Sequence, residues 1–130
     1  MKRLQPPLVF SASVVRGAGR GRTIGSPTLN LELADIPDAL EEGIFACFVT
    51  LGDAGSPLPA AVHYGPRPVF QDSKTFEAHI LDSTIDRAPE RVQVEVIAYL
   101  RDVRDFASKE LLMEQIQADV VTTRGILSET

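Results

Sequence analysis

Apolar residues in this chain recur at two spacings, and the change from one to the other limits what it can fold into. Residues 44–51 (Ile-Phe-Ala-Cys-Phe-Val-Thr-Leu) are apolar on both alternating faces, which predicts a strand buried on two sides. In residues 75–81, Phe76, Ala78 and Ile80 share one face and Glu77 and His79 the other. In residues 91–100, the clearest strand, Val92, Val94, Val96, Ala98 and Leu100 point one way, and Gln93, Glu95 and Tyr99 the other. Residues 8–15 and 58–64 also read as strands, and Gly/Pro-rich turns such as 52–57 and 65–68 separate the runs. Only after Ser108, a fitting helix N-cap with Glu110 in the first turn, does the spacing become four: Leu112, Ile116, Val120. The spacing predicts a helix to about Val121, with Gly125 ending order and the stripe packed in the core. Short strands with one late helix predict an all-β-dominated fold, an antiparallel barrel closed or plugged by that helix. There is no βαβ alternation, which argues against a doubly wound sheet.

At 130 residues the chain suits a single domain over residues 1–130. The net charge of −5 argues against nucleic acid or an anionic membrane as partner, and no apolar run is long enough to span a bilayer. Cys47 is the only cysteine, which rules out intrachain disulfides and cysteine-based zinc sites and fits a reducing, cytoplasmic setting. Cys47 itself, in an apolar strand, reads as core.

The densest chemistry lies in residues 17–30, Gly-Ala-Gly-Arg-Gly-Arg-Thr-Ile-Gly-Ser-Pro-Thr-Leu-Asn. Glycines let backbone N–H groups approach a ligand, and Arg20 and Arg22 offer forked donors to phosphate oxygens. Thr28 and Asn30 add oxygen atoms of the kind a hard cation prefers. The pattern is neither a Walker loop, since no Gly-Lys-Ser/Thr follows, nor a Rossmann fingerprint. An anion cradle with a metal-binding edge is the leading reading. An RNA-binding Arg-Gly segment stays open, although such segments are usually repetitive and this one is single.

Gly-x-Gly-Arg-Gly-Arg-x-x-Gly-x-Pro-Thr-x-Asn resembles the signature of the riboflavin kinase (flavokinase) family. Further matches follow in order: Glu-Gly-Ile-Phe-Ala at 42–46, Gly-Pro-Arg-Pro-Val-Phe at 65–70, Phe-Glu-Ala-His-Ile-Leu-Asp at 76–82, Leu100-Arg101, Phe106, and the run to Asp119. The likeness covers a core of about residues 8–121. Ser26, Leu29, His63 and Val69 depart from the family's usual residues, and its Tyr-Gly pair before the last strand is replaced by Ala88-Pro89-Glu90.

The resemblance implies a six-stranded antiparallel Greek-key barrel with a C-terminal helix, and ATP-dependent phosphorylation of riboflavin to FMN with Mg²⁺ or Zn²⁺. It places Gly17, Gly19, Arg20, Gly21, Arg22, Gly25 and Pro27 at the nucleotide phosphates, and Thr28 and Asn30 at both phosphate and metal. It makes Glu77 the catalytic base and sets Arg101 and Phe106 at the flavin. Without the resemblance, Glu77 reads as a solvated carboxylate. His79 reads as a polar neighbour on an exposed face, and His63 carries no assigned chemistry. The expected partners are riboflavin/FMN and ATP/ADP, with the protein a monomer. The adenylyltransferase module of bifunctional bacterial relatives is not in this chain, so FAD synthesis is not expected of it. A flavin- or nucleotide-binding module with little turnover is the rival reading.

Overall fold

The structure, a computed structural model, describes residues 1–15, 27–52, 55–66, 74–85 and 89–130. Six strands form one antiparallel sheet: β1 (Lys2–Ser13), β2 (Thr28–Asn30), β3 (Gly43–Leu51), β4 (Leu58–Pro66), β5 (Lys74–Ile80) and β6 (Arg91–Arg101). Their order is β1-β6-β3-β4-β5-β2. Strands β3, β4 and β5 form a meander, and β6 returns to lie beside β3, which is a Greek key. The edge strands approach each other where Val14 bridges Leu31, with Val15 N–H donating to the Asn30 carbonyl at 2.7 Å and Glu32 N–H to that of Ser13 at 2.9 Å.

Two apolar clusters follow from this. The larger lies inside the curved sheet and takes Phe45, Cys47 and Val49 from β3, Phe76, Ala78 and Ile80 from β5, and Val92, Val94 and Val96 from β6. Cys47 is core, as expected, and burial pushes its thiol pKa up, so it stays protonated. The smaller cluster lies on the opposite face, where Ala46, Ile97 and Ala98 meet Ile126 and Leu127 of α1 (Lys109–Ser128). Strand β3 is therefore buried on both sides, as its unbroken apolar run predicts.

Strand β6 does not keep the alternation read from its sequence. Ala46 pairs with Ala98 but Cys47 with Val96, so Ile97 is an extra residue; Ile44 pairs with Arg101 but Phe45 with Tyr99, so Leu100 is another. Each bulge shifts the facing by one residue. Tyr99 thereby turns inward onto Phe45, at 5.6 Å between ring centroids, while Ala98 and Leu100 join the helix side. The tight seat of Tyr99 needs a glycine opposite: a Cβ on Gly43 would lie 2.5 Å from its ring.

Two boundaries also differ from expectation. Strand β1 begins at Lys2 rather than near residue 8, with its pairing to β6 irregular between Arg3 and Leu8, where Pro6 and Pro7 supply no N–H. Helix α1 runs through Gly125 to Ser128 instead of stopping near Val121, because burial of Ile126 and Leu127 outweighs the poor propensity of one glycine. The start is as read: Ser108 caps it, its Oγ accepting from Leu111 N–H at 3.2 Å. A Cβ at Gly125 would meet nothing within 4 Å. Gly125→Ala is expected to raise stability by about 0.5–1 kcal/mol in urea unfolding; an unchanged or lower midpoint would contradict this account.

Candidate active site

The register of the sheet brings the chemical side chains into one line. Asn30 pairs with Glu77, Glu77 with His63, His63 with Ile44, and Ile44 with Arg101, across β2, β5, β4, β3 and β6. A parallel line runs through Thr28, His79, Ala61, Ala46 and Ala98. Both lines lie on the face away from the interior cluster, since Leu29, Val62 and Ala78 between them point inward.

Helix α1 covers part of this face. Its C-terminal half packs on the sheet, while its earlier turns roof a cavity of about 530 Å³. Thr28, His63, Glu77, His79 and Arg101 line the cavity from the sheet, and Leu112, Met113, Ile116 and Val120 line it from the helix. The helix stripe read as core is thus a cavity wall: Ile116 is 39% exposed, and the buried helix positions are Asp119, Thr123, Ile126 and Leu127.

Polar contacts hold the lining. Thr75 Oγ1 donates to Glu77 Oε2 at 2.9 Å, fixing a carboxylate that is half-buried rather than solvated. Thr28 Oγ1 and His79 Nδ1 share a hydrogen bond of 3.0 Å. Arg101 forms a fork with Asp119, Nε to Oδ1 at 3.1 Å and Nη2 to Oδ2 at 2.7 Å, tying the middle of the helix to the end of β6. Gln115 Nε2 donates to Asp119 Oδ1 at 3.0 Å, and Gln115 Oε1 accepts from Arg104 Nη2 at 2.8 Å. Both histidines are pushed down from the ordinary imidazole value, chiefly by burial, with the Glu77 carboxylate pulling the other way. Backbone groups of His63 and Pro66 also favour the charged form of His63. None meets its ring nitrogens in hydrogen-bond geometry: both are buried and, among the described residues, without a partner.

Of the residues expected at a site, Thr28, Glu77 and Arg101 line one cavity, and Asn30 sits beside Glu77 by register. Pro27 is buried, its carbonyl accepting from Ile80 N–H at 2.9 Å, which sets the start of β2 against β5. Phe106 lines an adjoining groove with Arg104, Leu111 and Gln115, its ring 5.9 Å from the Arg101 guanidinium. Gly17, Gly19, Arg20, Gly21, Arg22 and Gly25 lie outside the described residues. No role was assigned from sequence to His63, Thr75 or Asp119; their roles follow from cross-strand and helix–sheet partners that one sequence does not reveal.

The sequence matches the family described as Flavokinase, riboflavin kinase, over residues 4–127. The chain belongs to the riboflavin kinase family. It is 35% identical over 125 residues to the bifunctional riboflavin kinase/FMN adenylyltransferase of Escherichia coli strain K12, an overlap that takes in 95% of this chain and 39% of that protein. It therefore spans well under half the length of that bacterial relative. Identity to the riboflavin kinase of Homo sapiens is 31% over 120 residues, 88% of this chain and 77% of that one. The crystal structure of riboflavin kinase from Trypanosoma brucei has the same fold, with TM-score 0.64 at 23% identity over 94% of this chain and 80% of that one. A crystal structure described as a macrolide-efflux protein from Streptococcus pneumoniae superposes with TM-score 0.72 at 34% identity, over 91% of this chain and 38% of that one.

Two outcomes test the geometry of this riboflavin kinase-family site. Asp119→Asn removes the charged fork that holds Arg101 and is expected to cost about 1.5–3 kcal/mol in chemical unfolding; a loss of a few tenths would show the pair to be incidental. For His63, unfolding returns the ring to its ordinary value near 6.5, so the unfolded chain takes up its proton first as pH falls. The stability linked to neutral His63 is complete above about pH 6.5 and is lost as pH falls through the lowered native value. Wild type should therefore lose more stability than His63→Gln between pH 7 and about pH 5. Equal slopes would refute it.

Proposed function

We propose that this chain is a riboflavin kinase that transfers the γ-phosphoryl group of ATP to the 5′-hydroxyl of riboflavin, giving FMN and ADP. The observation that carries this reading is the pairing of Asn30 with Glu77, which lines a cavity whose helix wall is apolar apart from Asp119. In this reading a flat aromatic ring system lies between Leu112, Met113 and Ile116 and the sheet, with its polar chain directed to Glu77. Family membership supports the same assignment.

In this reading the oxygen of the acceptor hydroxyl is held by Glu77, whose carboxylate is fixed by Thr75 and takes the proton as the new P–O bond forms. The γ-phosphoryl group leaves the β-phosphate oxygen, and ADP departs. Such transfers depend mainly on positioning and charge neutralisation. The glycine-rich segment, with Arg20 and Arg22, is read as the cradle of the nucleotide phosphates, and Pro27 sets the entry to β2.

Thr28 and Asn30, two apart on β2, present neutral oxygen donors to one face, the donor set a hard cation shares with phosphates and water. Among the described residues no group of three His, Cys, Asp or Glu could hold a metal by itself. Mg²⁺ bound there would neutralise charge on the transferring phosphates. Arg101 and Phe106 are read as bordering the flavin end. No helix among the described residues is long and apolar enough to cross a membrane. We read the chain as a cytoplasmic monomer acting on small molecules.

Purified protein with riboflavin, ATP and Mg²⁺ is expected to form FMN, seen by chromatography. Glu77→Gln should lower kcat by roughly 10²–10⁴-fold while leaving ADP affinity largely intact. Tight flavin binding with no FMN under any nucleotide or metal would replace the reading with that of a binding module.

A further inference from the structure

We infer that His63 binds a hydroxyl of the acceptor's polyol chain next to the reacting one, and so sets a preference for a hydroxylated chain over a plain alkyl alcohol. The inference rests on the proposed use of the Glu77 cavity and names a specificity residue within it.

Direction comes from the register. Asn30, Glu77, His63, Ile44 and Arg101 follow one another on five adjacent strands, about 4.8 Å apart at each step. If the reacting oxygen sits at Glu77 and the phosphates lie toward Asn30, the acceptor chain must leave on the other side. That side is His63, and beyond it come Ile44 and the apolar helix wall. A polyol carries a hydroxyl on every carbon, so a chain crossing one strand spacing presents a hydroxyl at the imidazole. The neighbouring line offers no rival side chain on β4, because the residue beside His79 there is Ala61, whose side chain has no polar atom.

The chemistry of the ring fits the role. Both His63 nitrogens are buried and, among the described residues, have no hydrogen-bond partner, although buried polar atoms are almost always paired. The Glu77 carboxylate next to it is engaged by Thr75 instead. A neutral imidazole has one donor and one acceptor, and a hydroxyl supplies one of each. Burial favours that neutral form over the pull of Glu77, and Arg101 across the cavity also disfavours a second positive charge. A polar ring kept unpaired at the floor of a cavity is what a ligand hydroxyl would satisfy.

The test compares riboflavin with a flavin whose N10 side chain is 5-hydroxypentyl, which keeps the terminal hydroxyl and lacks the others. Wild type is expected to favour riboflavin by roughly 10–100-fold in kcat/KM. In His63→Leu, kcat/KM should fall sharply on riboflavin and much less on the analogue, so the ratio moves toward one. His63→Asn, which keeps a donor and an acceptor, should retain most of the preference. Flavin fluorescence quenching should show the same contrast in Kd. Equal losses on both flavins, or no preference in wild type, would overturn the role of His63, and the second result needs no variant to fold. If His63→Leu does not fold, His63→Ala is read in its place. Wild type that forms FMN yet fails these comparisons sinks this inference alone; wild type that phosphorylates neither flavin sinks the kinase reading with it.

Discussion

Two extra residues in β6 decide how this sheet can be apolar on one side and chemical on the other. Strict alternation would leave Tyr99 on the helix face and Ala98 inside. The bulge at Ile97 exchanges them, and the second at Leu100 returns Arg101 to the helix side, opposite Ile44. Without the first, the interior would lose the ring that packs on Phe45; without the second, Arg101 would not meet Asp119. Bulges commonly re-aim side chains at sites of function, and here they do so in the strand that pairs with both β1 and β3.

The helix is held unevenly. Its C-terminal half has Ile126 and Leu127 in an apolar cluster, Arg124 forked onto Asp82, and Arg3 of β1 near Glu129 at 3.3 Å. Its middle is tied by Asp119 to Arg101. The turns before that, carrying Leu112, Met113 and Ile116, stand over open space. Surface pairs such as Arg3–Glu129 contribute little by themselves, so the apolar cluster and the half-buried Arg101 fork set the angle of the helix. The site is a consequence of that angle.

Much of this was legible beforehand, for reasons that differ by element. Residues 44–51 announced a doubly buried strand because both faces are apolar, and the alternation around Phe76 placed Glu77 off the core correctly. The short strand β2 has only three residues and no period to detect, so no strand was read there; the resemblance gave roles to Pro27, Thr28 and Asn30 but not their place in the sheet. Propensity misled at Gly125, where tertiary burial won. Periodicity misled at Leu112, Ile116 and Val120, because a stripe facing a cavity and a stripe facing a core have the same spacing. It also misled in β6, since a bulge leaves no mark in a run of Val, Ile and Ala. The pairing of His63 with Glu77 was invisible, because cross-strand register is a property of two segments together.

The line of Ala61, Ala46 and Ala98 across β4, β3 and β6 carries no chemistry, yet it determines how much room the chemistry has. Ala46 and Ala98 have only methyl groups to place under the helix, so its far end sits close to the sheet; Ala61 leaves the near end hollow. The three act together as the fulcrum of a wedge. Adding carbons at Ala46 or Ala98 would lift the closed end, and adding them at Ala61 would fill the open one. Cavity depth in this architecture can thus drift over generations, or be set by design, while every charged and hydrogen-bonding side chain of the site stays the same.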